Sequence, residues 1–121
     1  MKARWVFGFF GVVLRDDEPR RPTVGWFWRS WGVAGTRGVR RVYHIPSGCF
    51  LTSFGSVYRT RRDTFGARWT AKQFCEAIDH LADWTSSTPT DDPTVVLRMH
   101  ALALRLTAGR PDLRVIDGGA P

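Results

Sequence analysis

Residues 39–54, VRRVYHIPSGCFLTSF, decide how the fold is read. Val39–Ile45 concentrates β-branched and aromatic side chains, which favour a pleated, half-buried surface. Pro46, Ser47 and Gly48 are turn formers, and Cys49–Phe54 then runs apolar again. Two such runs about a short turn predict an antiparallel hairpin.

Towards the N-terminus, Ala34–Gly38 contains two glycines and predicts a second hairpin loop. Thr23–Val33 reads as one long aromatic strand, and Asp16–Pro22 as a charged turn closed by two prolines. Ala3–Leu14 is rich in Trp, Phe and Val, while Gly8 and Gly11 weigh against a helix. Its two apolar faces predict a strand in the middle of a sheet. Towards the C-terminus, Val57–Arg62 reads as a short fifth strand at an edge, where its arginines stay wet.

The period changes at Thr70. Phe74, Ala77, Ile78 and Leu81 recur at helical spacing, and Thr70 with Gln73 resembles a capping box, so a helix is predicted over 70–84. Thr85–Thr90 is a loop. Asp92 followed by Pro93 starts a second helix that runs to Ala108 and stops at Gly109. Val96, Met99, Leu102, Ala103 and Leu106 form its main stripe. Val95, Leu97 and Leu104 widen that stripe so far that little of the helix faces water unless a partner covers it. Leu113–Ile116 adds a short extended piece. The expected fold is α+β, an antiparallel four- to five-stranded meander followed by two helices packed on one face, with the other face free to bind. A single domain over 1–121 is expected, with a basic β-rich part at 1–62, a helical part at 70–108 and a tail at 112–121.

Charge is unevenly spread. The formal net charge is +7, and arginine supplies 16 of 18 basic residues. Residues 1–72 hold fourteen basic and four acidic side chains, a balance of +10, whereas 73–121 hold four and seven, a balance of −3. Two cysteines, Cys49 and Cys75, are too few for a disulfide scaffold and read as reduced thiols of a cytoplasmic protein. Met1–Arg4 followed by apolar Trp5–Leu14 imitates a signal peptide. It lacks a small-residue cleavage site and is too short to cross a bilayer, so it reads as structure, with no membrane partner.

Four groups of residues could carry function. Arg37, Arg40, Arg41, Arg59, Arg61, Arg62 and Arg68 interleave with Tyr43, Phe50, Phe54, Tyr58 and Trp69, the mixture that neutralises phosphates and stacks on bases. A solvated arginine surface over an aromatic core accounts for the same pattern. Trp26, Phe27, Trp28 and Trp31 offer protein anchors if one face is exposed; alternation places Trp26 and Trp28 on one face and Phe27, Arg29 and Trp31 on the other. His44 with Cys49 could meet across the hairpin, but Cys75 and His80, five apart on a helix, diverge by about 140° and hold no common ion. No spacing selects a catalytic Cys–His pair, and Gly32, Gly35 and Gly38 lack the strand–loop–helix context of a phosphate loop.

These residues point to a non-catalytic basic protein without metal or cofactor. Its Arg/aromatic sheet face would engage nucleic acid or a nucleoprotein complex. The alternative is a protein–protein inhibitor or adaptor that meets an acidic protein surface through exposed Trp and Arg anchors. In size and composition alone the chain resembles the small arginine-rich proteins of bacteriophages and mobile elements. That resemblance implies a binding protein that blocks or adapts a host complex.

Overall fold

The computed structural model describes residues 3–35, 39–56, 61–87, 91–108 and 113–116. Strands β1 (Val6–Val12), β2 (Arg21–Trp28), β3 (Trp31–Ala34), β4 (Val39–His44) and β5 (Cys49–Ser56) are followed by helices α1 (Arg61–Ile78) and α2 (Pro93–Thr107) and by β6 (Leu113–Ile116). The sheet is antiparallel throughout, with the strands ordered as they occur in the chain. The α+β meander with helices on one face is as the sequence predicts, and β6 extends it beside β5.

The main departure is at Arg29–Ser30. Thr23–Val33 is a hairpin rather than one strand, with Trp28 paired to Trp31. Arg29 turns the chain in the left-handed region, at φ 52°. That conformation costs a residue with a side chain roughly 1–2 kcal/mol, and here it carries neither the glycine nor the asparagine that would announce it. Arg29 is held from two sides: its guanidinium lies 5.0 Å from the Trp28 ring centroid, and Nη1 donates to Asp79 Oδ2 at 2.9 Å.

Two corrections concern this part of the sheet. As the first strand of a meander, β1 lies at the sheet edge and not in its middle, although both its faces carry apolar residues. The hairpin reverses the alternation, which places Trp31 on the same face as Trp26 and Trp28.

The helices differ from expectation at their ends. α1 begins at Arg61, so the predicted edge strand over Val57–Arg62 gives way to helix at its last two residues; 57–60 lie outside the described residues. Gly66 and the sparse apolar spacing of this first part conceal the early start. Thr70 is therefore mid-helix and buried, not a cap. Leu81 lies beyond the helix end and is half-buried, as is Leu102; both pack against the core. In α2, Asp92 caps as predicted, accepting from the Thr94 amide at 2.9 Å.

The main core lies between helices and sheet, where Trp31, Val33, Val42, Phe54, Ala71, Phe74, Cys75, Ile78, Trp84 and Ala103 are buried together. The opposite sheet face is not free. It carries a second cluster of Phe10, Val12, Ala34 and Tyr43, with Phe27, Ile45 and Phe50 against it. The β1–β2 connection closes over this cluster and meets the β4–β5 turn. The Val13 amide donates to Gly48 O at 2.8 Å, and Arg20 donates to Ile45 O and Pro46 O at 2.8 and 2.6 Å. Gly48, at φ 74°, allows that approach, since a Cβ there would lie 2.9 Å from Val13 Cγ2. Gly32 gives the Phe10 ring its seat in the same way, a Cβ there falling 2.6 Å from it.

Candidate functional site

α1 lies across β3–β6 and leaves much of β1 and β2 uncovered on the helix side. One flank of α1 overhangs this open sheet with Arg68, Lys72 and Glu76, and Asp79, in the turn directly after the helix, continues the same line at a spacing of three or four residues. Each of these meets a tryptophan. Arg68 lies 5.3 Å from the Trp26 centroid, and Lys72 Nζ lies 3.9 Å from Trp26 and 5.7 Å from Trp5. Glu76 Oε2 accepts from Trp5 Nε1, and Asp79 Oδ1 from Trp31 Nε1, both at 3.0 Å. The flank is thus cationic at one end and acidic at the other, where its carboxylates satisfy indole N–H groups.

The cationic end faces open aromatics. Phe7 pairs with Trp26 across the β1–β2 ladder, their rings 5.1 Å apart and edge-on, and Phe9 pairs with Val24 one step further along the same face. Phe9 is 74% exposed, Phe7 59% and Val24 48%. Arg40, from β4, completes the corner. Its Nη1 donates to Gly35 O at 2.7 Å, while its Nε is shielded from solvent with no hydrogen-bond partner. Burial lowers the proton affinity of both Arg40 and Lys72, and neighbouring Arg68 lowers both further; Glu76 partly offsets this for Lys72, and Arg40 adds to it. Burial of Arg40 and Lys72 and the repulsion they feel from Arg68 make this corner locally positive.

Of the residues singled out in the sequence, Arg40, Arg68 and Trp26 come together here. Arg41 is exposed on the opposite face, beside Tyr43, whose phenol burial pushes up. Arg37, Tyr58 and Arg59 lie outside the described residues, as do the side chains of Arg61 and Arg62 at the start of α1. Trp31 is fully buried and so cannot serve as an exposed anchor, because the Arg29 turn folds it under α1. Trp28 is half-buried beneath Arg29 and 5.8 Å from Trp5. Lys72, Phe7 and Phe9 were missed. The Arg68–Lys72–Glu76 spacing would have placed Lys72, but the phenylalanines were hidden by reading β1 as a central strand.

The metal and nucleophile candidates are scattered or engaged. His44 does sit opposite Cys49 across the hairpin. Its Nε2 donates to Trp84 O and its Nδ1 meets Ser47 Oγ, both at 2.7 Å, so neither nitrogen is open to a ligand. His80 is exposed. Cys75 is buried, and burial first, then Glu76 and Asp79, push its thiol well above the ordinary range. The thiolate is the reactive form. Cys49, only half-buried, should therefore react with an aromatic disulfide reagent in native buffer, and Cys75 about a hundredfold more slowly or only on unfolding. Colorimetric titration of wild type against Cys49→Ser checks this; equal rates for both thiols would contradict the buried placement of Cys75.

No described helix is long and apolar enough to cross a membrane. Comparison with protein-family models, with curated proteins and with solved structures returns no match.

Proposed function

We propose that the chain is a non-catalytic binding protein for nucleic acid, taken as an unpaired strand, alone or within a nucleoprotein complex. The observation that carries this reading is the meeting of exposed Phe7 and Phe9 with the cations Arg40, Arg68 and Lys72 around Trp26. Bases released from a duplex stack on aromatic faces whatever their sequence, while the cations follow the phosphates. A duplex keeps its bases stacked inside and could use only the cations. The buried, unpaired Arg40 Nε and the lowered proton affinity of Lys72 fit a site whose charges are completed by an anion.

The test is titration of a labelled single-stranded oligonucleotide at several salt concentrations. Arg68→Ala with Lys72→Ala should flatten the log–log salt dependence by about 1.4, at about 0.7 per phosphate contact on a single strand. Phe7→Ala and Phe9→Ala should each weaken binding by about 1–3 kcal/mol, the worth of one stacked base, and leave the slope unchanged. Wild-type binding no tighter than about 10⁻⁴ M at 0.15 M salt, the weak end of nonspecific binding, would defeat the proposal.

A further inference from the structure

We infer that the outer face of α2 docks an acidic amphipathic helix from a partner protein. The sequence gives this helix more apolar surface than one core can use, and the structure shows where the surplus goes. Ala103 is buried, and Val95, Met99, Leu102 and Leu106 pack against the core. Leu97 and Leu104 point the other way, 69% and 64% exposed, two turns apart on one line with Ala101 between them. Along one side of that line, Arg98, Ala101, Leu102 and Arg105 border a pocket of about 250 Å³ that Leu81 closes from the segment after α1.

Size, spacing and charge together select the occupant. Ala101 is the low point between the leucines and the arginine stems, so a helix laid along α2 can approach closely there. The pocket is large enough to take one apolar side chain from it. Arg98 and Arg105 are seven residues apart, so they match two carboxylates spaced two turns apart on the visiting helix, which would flank its apolar stripe. α2 itself carries no acidic residue; the nearest described are Asp91 and Asp92 at its N-terminal end. A second copy of this chain is disfavoured by the same charges. An antiparallel two-fold pairing across Ala101 brings Arg98 of one copy to Arg105 of the other, like charge against like. Nucleic acid would satisfy the arginines but leave the leucines wet. The proposal stands independently of the oligonucleotide site, which lies on α1 and the sheet.

The experiment measures fluorescence anisotropy of two synthetic peptides against the full chain. Both repeat leucine at helical a and d spacing; one is flanked by glutamates seven residues apart, the other by lysines at the same places. The glutamate peptide should bind with a dissociation constant of about 10 µM or tighter, and the lysine peptide about tenfold or more weaker. Leu97→Ser with Leu104→Ser, both at exposed positions, should reduce glutamate-peptide affinity about tenfold or more while thermal unfolding and oligonucleotide affinity stay unchanged. Arg98→Glu with Arg105→Glu should reverse the preference between the peptides. Failure of the glutamate peptide to bind, equal binding of both peptides, or a dimer of the free chain that Leu104→Ser dissociates in light scattering would each overturn the proposal.

Discussion

Trp31→Ala lowers the unfolding free energy by about 3–5 kcal/mol, the ordinary cost of removing a large aromatic from a packed interior. Trp31 is fully buried, edge-on to Trp84 at 4.8 Å and 5.8 Å from His44. It also has a polar handle. Nε1 donates to Asp79 Oδ1 at 3.0 Å, while the other oxygen holds Arg29. Trp31→Phe keeps most of the apolar volume and loses the donor, so it should cost less than the alanine. Asp79→Ala should cost about 1–3 kcal/mol, because it leaves a buried indole N–H without an acceptor. The Arg29–Asp79 ion pair adds little by itself, since Arg29 is mostly exposed. Trp31 and Asp79 share one bond, so Trp31→Phe with Asp79→Ala should cost less than the sum of the two, by about 0.5–3 kcal/mol. Urea melts of the four variants check this; strict additivity, or a cost below about 1 kcal/mol for Trp31→Ala, would show that α1 does not hold the β2–β3 turn through this carboxylate.

The same turn shows what the sequence conceals. The hairpin over 39–54 was legible because Pro46, Ser47 and Gly48 each favour a turn for a physical reason, and Asp92–Pro93 was legible because a cap and a first-turn proline have a fixed geometry. Arg29–Ser30 has no such mark. Its left-handed residue is stabilised by Asp79, fifty residues later in the chain, and a contact at that separation leaves no local trace. The missed turn exchanged the face of Trp31, and the apolar residues on both faces of β1 disguised an edge strand as a central one. The anchors nominated from the sequence were thus Trp26, Trp28 and Trp31, whereas the exposed aromatics of the described residues are Phe7, Phe9 and Trp69, of which only Trp69 had been named, among the rings between the arginines. Arg40 and Arg68 were found because arginine beside aromatic residues was the pattern sought; the same pattern took in Arg41, which alternation puts on the opposite face from Arg40. The surplus of apolar residues on α2 was legible from spacing alone, since 3.6 residues per turn leave Leu97 and Leu104 no place in a core built on Ala103.

His44→Ala is the second substitution with a large expected cost, about 3 kcal/mol, from the cavity and from the carbonyl it strands. His44 is fully buried between β4 and the segment after α1. A carbonyl only accepts, so the proton on Nε2 is assigned by its partner, Trp84 O. Nδ1 meets the Ser47 hydroxyl at 2.7 Å, and that hydroxyl also donates to His44 O at 3.2 Å and accepts from the Cys49 amide at 3.1 Å. One imidazole therefore ties the β4–β5 turn to the stretch that carries Trp84, whose own Nε1 closes onto Ile78 O at 2.9 Å. Alanine leaves Trp84 O without its donor, while Ser47 Oγ loses one partner and keeps the residue-44 carbonyl and the Cys49 amide. His44→Gln can still present an amide N–H to Trp84 O and should recover part of the loss, whereas His44→Phe fills the space but restores neither bond. The order of stability in urea should thus be wild type, then glutamine, with phenylalanine and alanine below it. Trp84 fluorescence should shift to the red in the alanine variant as its indole is exposed. Had His44 been placed for a metal or a nucleophile, glutamine and phenylalanine would be tolerated equally well and the fold would hold without the ring. An alanine variant as stable as wild type would refute its role as the clasp between sheet and helix.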